Sequence, residues 1–222
     1  MVSSPQFEVQ AQEMVENQLR ARGITDGRVL DAMRAVPRHE FVPRDFLGAA
    51  YSDRPLPIGA HATISQPYIV AAMTQAAQIA QGDNVLEIGG GCGYQAAVLA
   101  QLGANVRTVE INPRLAAEAR ARLERLGYKN IEVFAGDGSE GLAVHAPYDA
   151  IIVSAATPNV SPVLVEQLAE TGRLVAPVGS LRSQQISVVC RQNGQITIHR
   201  LDPCQFVPLV GKGGWQDQGC DD

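Results

Sequence analysis

Three glycines stand at alternate positions directly after an apolar segment of the chain. Gly89, Gly91 and Gly93 follow residues 85–88, which read Val-Leu-Glu-Ile. Glycine lets the backbone pass close to a ligand, and open α/β sheets bind ligands at the carboxyl ends of their strands. The spacing therefore predicts a loop that binds a small molecule after a first strand, with Glu87 beside it.

Two acidic residues lie at similar positions further along the chain. Glu110 falls in the segment Thr-Val-Glu-Ile, and Asp137 stands in Ala-Gly-Asp-Gly, directly before Gly138. Because carboxylates accept hydrogen bonds, Glu110 can accept from both hydroxyls of a ribose and Asp137 from an adenine amino group. Together with the glycines, these residues predict a nucleoside site built from three loops.

More than one interpretation fits this pattern. Residues 91–96 read Gly-Cys-Gly-Tyr-Gln-Ala, and Glu110 follows about 20 residues later, as in the relaxed fingerprint of dinucleotide-binding proteins. A nicotinamide dinucleotide is therefore one candidate ligand for this nucleoside site. Glu110 could also favour the start of a helix at Pro113, and Asp137 could serve only as a turn residue.

The elements that position these residues alternate between strands and helices. The strands are apolar without alternation, as expected where helices cover both faces of a parallel sheet. Near the end, two strand-like segments flank Asn193-Gly194, which predicts a type I′ hairpin. The pattern predicts an α/β fold resembling the Rossmann-like class I methyltransferases: a mostly parallel, doubly wound sheet with a C-terminal antiparallel hairpin. Strands are predicted at residues 84–88, 106–111, 131–134, 150–153 and 173–177, and helices at 68–80, 94–102, 114–126 and 162–170.

The N-terminal part has a different pattern. Helices are predicted at residues 7–22 and 29–36, and residues 37–67 carry prolines at 37, 43, 55, 57 and 67. This segment is too irregular to predict regular structure and too long for an idle connection, which indicates a functional loop. We expect one domain over residues 1–222, in which residues 1–67 provide helices and a substrate loop and residues 68–222 provide the cofactor-binding sheet.

Short motifs resemble those of the protein-L-isoaspartate O-methyltransferase family. Residues 56–67 read LPIGAHATISQP, which is similar to the family signature Pro-Ile-Gly…Thr-Ile-Ser-x-Pro. The resemblance covers roughly residues 10–211. His61 stands where bacterial members commonly have glycine, and Cys92 where serine is frequent. Further matches are Ala-Val-Pro-Arg at 35–38, Phe-Val-Pro at 41–43, Val-Leu-Glu-Ile-Gly at 85–89, Gly-Asp-Gly at 136–138, Pro-Tyr-Asp-Ala-Ile-Ile at 147–152, Pro-Val-Gly at 177–179 and Phe-Val-Pro-Leu at 206–209.

The resemblance implies a cofactor, a reaction and a set of residues. It implies that Ala62, Thr63, Ile64 and Ser65 border S-adenosyl-L-methionine and that Ser65 is the catalytic residue. It favours this cofactor over a dinucleotide, because Glu87 precedes the glycines as in methyltransferases. The reaction it implies is methyl transfer to the free carboxylate of L-isoaspartyl residues in damaged proteins. The ester then closes to a succinimide, which can reopen to aspartate.

This chemistry agrees with the residues that are present. A carboxylate is already ionised at neutral pH, so its methylation needs no general base. What remains is in-line placement of the reacting atoms with water excluded. The Ser65 hydroxyl can donate a hydrogen bond to the carboxylate, and it has no neighbouring base that would make it a nucleophile. An alternative role for Ser65 is to cap the helix that starts near Pro67.

Composition narrows the remaining classes. The net charge is −5 and no block of Lys and Arg occurs, which disfavours nucleic-acid binding. No apolar stretch approaches the roughly 18 residues of a membrane span, and no signal peptide is evident. The four cysteines and four histidines are scattered, so we expect reduced thiols, no metal and a cytoplasmic protein, acting as a monomer. Two alternatives remain: a methyltransferase for another substrate and a catalytically silent cofactor-binding module. Residues 154–158 lack the Asn/Asp-Pro-Pro loop that nucleic-acid amino-methylating enzymes often carry, which disfavours that class of methyltransferase.

Overall fold

The computed structural model describes residues 5–215, and the N-terminal part of the chain is helical. Helix α1, Pro5–Glu13, continues as a π-helix over Met14–Leu19 and a 3-10 turn over Arg20–Arg22, and Gly23 ends it with a φ of 92°. Helix α2 spans Gly27–Ala35. Both predicted helices are present, although the first leaves α-helical geometry halfway. The predictions for Cys220 and for the chain beyond residue 215 lie outside the described residues.

The segment 37–67 is more regular than the sequence predicts. It contains 3-10 helices at Arg38–Phe41 and Arg44–Ala49, followed by strands β1, Leu56–Gly59, and β2, Ala62–Ile64, which pair as an antiparallel hairpin. The prediction of a wholly irregular loop was wrong. The hairpin escapes detection because its turn residues, Ala60 and His61, adopt φ values of 49° and 56° without the Asn-Gly signal of such turns.

A seven-stranded sheet forms the centre of the protein. Helix α3, Pro67–Ala77, precedes it. Its strands are β3 Asn84–Ile88, β4 Asn105–Glu110, β5 Ile131–Ala135, β6 Tyr148–Val153, β7 Leu168–Ser180, β8 Ser183–Gln192 and β9 Gln195–Cys204, and the helices between them are α4 Tyr94–Gln101, α5 Pro113–Arg125 and α6 Pro162–Glu166. The strand order is β5-β4-β3-β6-β7-β8-β9. Strands β3 to β7 are parallel, and β8 and β9 add the antiparallel hairpin, so the predicted fold class is confirmed.

Both faces of the central strands are buried. Val85 and Ile152 belong to one apolar cluster, which includes residues of the N-terminal helices. Their neighbours Leu86 and Ile151 belong to a second cluster, which includes Leu164 of α6. Successive side chains of a strand point to opposite faces. Continuous apolar runs therefore arise here because each face of the sheet has its own core.

The sixth helix is shorter than predicted. It ends at Glu166 rather than 170, and β7 begins at Leu168 rather than 173. Leu168 is 2% exposed and pairs with Tyr148 of β6. Gly172 sits where a Cβ atom would lie 2.9 Å from the carbonyl oxygen of Tyr148. This pairing across the sheet overrides the helix-forming residues 166–170, whose local preference suggested a longer helix.

The predicted type I′ hairpin joins β8 to β9. Asn193 and Gly194 have φ values of 51° and 72°, and Gln192 pairs with Gln195. The backbone N–H of Gly194 donates a hydrogen bond of 3.0 Å to Oε1 of Glu170, at the start of β7. The nitrogen of the chain's single Asn-Gly pair is therefore held by a carboxylate from another strand.

We expect Glu170→Ala to accelerate deamidation at Asn193 several-fold. In that reaction the Gly194 nitrogen loses its proton, bonds to Cγ of Asn193 and displaces ammonia, and water then opens the succinimide to aspartate and isoaspartate. A neighbouring carboxylate disfavours the loss of a proton from that nitrogen. Peptide mapping after incubation at elevated temperature measures isoaspartate at residue 193, with Glu166→Ala as an exposed control. Equal rates in both variants would contradict the prediction.

Candidate active site

A cavity opens at the carboxyl ends of the central strands. The chain runs from β3 to β4 on one side of β3 and later returns to place β6 on the other side. Open α/β sheets bind ligands at such a reversal of strand order. The cavity there measures about 490 Å³. Its walls are Ala60, His61, Ala62, Thr63, Ile88, Gly89, Gly91, Val109, Glu110, Ile111, Asn112, Pro113, Leu115, Gly138, Ser154, Ala155, Val207, Pro208, Leu209 and Val210.

The glycine loop reaches this cavity with two of its three predicted glycines. Gly89 and Gly91 line it, with φ values of 85° and 53°. Gly93 lies at the start of α4, where a Cβ atom would stand 3.1 Å from Cδ1 of Leu123. The structure thus places Gly93 in a packing position behind the loop, and a direct contact of Gly93 with a cofactor stays a prediction.

Glu110 ends β4 and faces the same cavity. Its side chain is 7% exposed. Oε2 accepts from the Gly91 N–H at 2.8 Å, and Oε1 accepts from the Asn112 N–H at 2.8 Å. The carboxylate therefore ties the glycine loop to the start of α5. Each carboxylate oxygen has a second lone pair, which leaves Glu110 able to accept from the hydroxyls of a ribose.

Asp137 and Gly138 lie in the turn that follows β5. Gly138 lines the cavity, whereas Asp137 does not. Burial alone would raise the pKa of Asp137, but hydrogen bonds from Ser139 and from the Lys212 N–H, at 2.9 Å, hold that pKa below its usual value. Residues 212 and 213 thus contact this turn, since the Gly213 N–H also donates to Oγ of Ser139 at 2.8 Å. Adenine contact by Asp137 stays a prediction.

A narrow second cavity of about 40 Å³ adjoins the first. It is lined by Ile64, Ser65 and Glu87, and it shares Thr63 with the larger cavity. Glu87 is fully buried, and burial raises the pKa of its carboxyl to about 8. Its Oε2 atom has no hydrogen-bond partner among the described residues. This unpaired oxygen is therefore available to a polar group of a ligand.

An outer groove of about 430 Å³ lies beyond the narrow cavity. Thr63 borders the groove and both cavities, and Ser65 borders the groove and the narrow cavity. The remaining walls of the groove are Pro55, Gln66, Ile69, Cys204, Gln205, Phe206 and Val207, so no charged side chain of residues 5–215 lines it. Ser65 therefore stands where a bound small molecule and a second reactant would meet.

Ser65 does not cap the following helix. The N-cap residue of α3 is Gln66, which makes no side-chain capping bond. Asp53 takes over this function, because its Oδ1 accepts from the Tyr68 N–H at 2.9 Å. The capping interpretation of Ser65 was wrong. Its hydroxyl makes no hydrogen bond within residues 5–215, which leaves it available to a ligand.

Arg38 is the main residue that the sequence analysis did not assign to the site. It is fully buried, and its Nη2 atom donates to the main-chain oxygen of Ser65 at 2.7 Å. The only signal in the sequence was its place in the motif Ala-Val-Pro-Arg.

Within residues 5–215, no cluster of His, Cys, Asp and Glu suits a metal ion, and no helix is long and apolar enough to cross a membrane.

Comparison with known proteins identifies the family. The family model for protein-L-isoaspartate(D-aspartate) O-methyltransferase matches residues 9–214. The chain belongs to this family. It is 54% identical over 218 residues to the protein-L-isoaspartate O-methyltransferase of Koribacter versatilis (strain Ellin345), which covers 97% of this chain and 98% of that protein. A relative from Methanoculleus marisnigri is 53% identical over 207 residues, covering 93% and 94% of the two chains.

A solved structure of the protein-L-isoaspartate O-methyltransferase family superposes on most of the chain. A Plasmodium falciparum protein, described as a candidate member and crystallised with S-adenosyl-L-homocysteine, matches with a TM-score of 0.79 and 25% identity. The match covers 90% of this chain and 98% of the other. The fold is thus shared with a relative that was crystallised with a nucleoside thioether.

Proposed function

We propose that this chain transfers a methyl group from S-adenosyl-L-methionine to the free carboxylate of L-isoaspartyl residues in damaged proteins. Family membership supports the reaction, since the curated names of the relatives state it. The observation in the structure that carries it is the position of Ser65. A serine whose hydroxyl makes no hydrogen bond within residues 5–215 lies between the narrow cavity beside the glycine loop and the outer groove of about 430 Å³.

The proposed mechanism requires little acid–base catalysis by the protein. S-adenosyl-L-methionine, when bound, supplies the reactive methyl group. Ser65 donates a hydrogen bond that orients the substrate carboxylate, which is ionised at neutral pH and needs no base. The apolar side chains of Ile69, Phe206 and Val207 in the groove exclude water around the reacting atoms. Positioning is thus the protein's main contribution.

We propose the following division of the cofactor site. Glu110 accepts from the ribose hydroxyls, and Asp137 with Gly138 borders the adenine. Glu87, beside the glycine loop, faces the amino-acid end, where its unpaired oxygen suits an ammonium group. The loop residues proposed to border the cofactor are Ala62, Thr63, Ile64, Ser65, Gly89 and Gly91, with Gly93 supporting them from behind.

We further propose a monomeric, single-domain enzyme of the cytoplasm. Cys92, Cys190 and Cys204 are free thiols, as is usual in reducing compartments. Light scattering in solution tests the monomer, and localisation of a tagged chain in its host tests the compartment.

A methylation assay on paired peptides tests the function. The two peptides differ only in whether one residue is L-isoaspartyl or L-aspartyl, and labelled S-adenosyl-L-methionine supplies the methyl group. We expect transfer to the isoaspartyl peptide alone. Calorimetry with S-adenosyl-L-homocysteine and with NAD separates the alternative cofactors. Binding of NAD but not of S-adenosyl-L-homocysteine would overturn the proposal, and so would equal methylation of both peptides or of neither.

A further inference from the structure

Arg38 is a buried cation that forms no ion pair with a carboxylate of residues 5–215. The residue is 0% exposed. Its Nε donates to the Ala50 oxygen and its Nη2 to the Ser65 oxygen, both at 2.7 Å, and the guanidinium lies 4.7 Å from the ring centre of Tyr94. Nη1 has no hydrogen-bond partner among the described residues. Arginine stays protonated in proteins, and buried charges are ordinarily paired.

Two acidic side chains that contact Tyr68, near the start of α3, already have partners. Asp53 accepts from the Tyr68 N–H and forms an ion pair with Arg22. Asp202 accepts from the Tyr68 hydroxyl at 2.6 Å. Neither residue lines the groove, and no ion pair of Arg38 occurs within residues 5–215. Arg38 therefore places a positive charge behind the Ser65 main chain without a direct ion pair, and the nearby charge of Asp53 is already held by Arg22.

We propose that Arg38 is the counter-charge for the substrate carboxylate, so that the site selects an anionic group over its neutral amide or ester. This inference rests on the proposed function and assigns a specificity-determining role within it. Ser65 supplies the hydrogen bond to the carboxylate, while Arg38 holds the Ser65 carbonyl and supplies the charge from behind. The arrangement also favours product release, because methylation turns the anion into a neutral ester that no longer attracts the guanidinium.

The physical basis is the weak screening of buried charges. Two opposite charges attract more strongly beneath a protein surface than in water, because the effective dielectric constant there is lower. A neutral carboxamide of the same shape fills the same space but gains nothing from the guanidinium. The contribution of Arg38 is therefore measured by the affinity for the acid peptide divided by the affinity for the amide peptide. If Arg38 had only a structural role, its replacement would leave this ratio unchanged.

The experiment measures that ratio. The protein is saturated with S-adenosyl-L-homocysteine, so that no turnover occurs, and is titrated with an isoaspartyl peptide or with the same peptide whose free carboxylate is a primary amide. We compare wild type, Arg38→Gln, Arg38→Lys and the control Arg34→Gln. Arg34 is an exposed arginine on α2 that pairs with Asp31, so its replacement removes the same formal charge away from the groove. Melting temperature and affinity for S-adenosyl-L-homocysteine are recorded for each variant.

We expect wild type and Arg34→Gln to prefer the acid peptide by about tenfold or more, which corresponds to ~1.4 kcal/mol or more. Arg38→Lys should keep most of this preference because it keeps the charge, whereas Arg38→Gln should lose it with unchanged cofactor affinity. A wild type without the preference overturns the proposal, and so does a folded Arg38→Gln that retains it. If Arg38→Gln does not fold, loss of the preference in folded Arg38→Lys overturns it.

The outcome also separates this proposal from the proposed function. If wild type methylates the isoaspartyl peptide but its preference for the acid peptide does not depend on Arg38, the role of Arg38 is refuted. The proposed function then still stands. Wild type that neither binds S-adenosyl-L-homocysteine nor methylates the peptide refutes both.

Discussion

Glu110→Ala is expected to weaken the binding of S-adenosyl-L-homocysteine by ~10- to ~100-fold. A hydrogen bond to a charged group contributes about 1.5–3 kcal/mol, and about 1.4 kcal/mol corresponds to tenfold in affinity. The side chain also holds the N–H groups of Gly91 and Asn112, each at 2.8 Å, so its removal loosens two walls of the cavity. Calorimetric titration of the folded variant measures the loss.

A second ligand separates direct recognition from this loosening. An analogue that lacks a ribose hydroxyl should bind wild type more weakly than S-adenosyl-L-homocysteine, and Glu110→Ala should reduce that difference. Glu118→Ala is the matched control, because Glu118 is an exposed carboxylate that pairs with Arg114 on α5. If folded Glu110→Ala binds S-adenosyl-L-homocysteine as tightly as wild type, the assignment of the ribose acceptor is wrong.

The central sheet could be predicted because its signals are local. Asn112-Pro113 marked the start of α5, and in the structure Asn112 caps the helix by accepting from the Arg114 and Leu115 N–H groups. The Asn-Gly hairpin was recognisable for the same reason. The start of β7 was not, because Leu168 joins the sheet through Tyr148, 20 residues earlier, and the intervening sequence by itself favours helix.

The residues of the candidate site also fall into two groups, those that local sequence signals predict and those that only long-range contacts define. The glycine loop and Glu110 follow strands directly, so their meeting at one edge of the sheet follows from strand order alone. The contacts that sequence reasoning missed span long stretches of chain. Arg38 reaches the carbonyl of a residue 27 positions away, and Asp137 accepts from Lys212, 75 positions away. No local pattern specifies such partners, because side-chain and loop contacts form only after the sheet has assembled.

Ser65 is the residue whose replacement best separates chemistry from stability. We expect Ser65→Ala to lower kcat/KM for an isoaspartyl peptide by ~10- to ~100-fold, since the lost hydrogen bond to a carboxylate contributes about 1.5–3 kcal/mol. The free energy of unfolding of this variant should differ from that of wild type by no more than about 0.5 kcal/mol, as is usual for substitutions that remove no buried contact. The structure gives the reason, because Arg38 holds the main-chain oxygen of Ser65, which alanine retains, and Asp53 binds the helix N–H.

Rate and melting temperature measured on the same sample decide the matter. Ser161→Ala is a suitable control, because Ser161 also lies at the start of a helix and makes no side-chain capping bond. Both variants should melt near wild type, and only Ser65→Ala should lose activity. A loss of about 1 kcal/mol in stability with normal turnover would instead indicate that Ser65 acts as a helix cap, and the proposed contact between its hydroxyl and the substrate carboxylate would have to be abandoned.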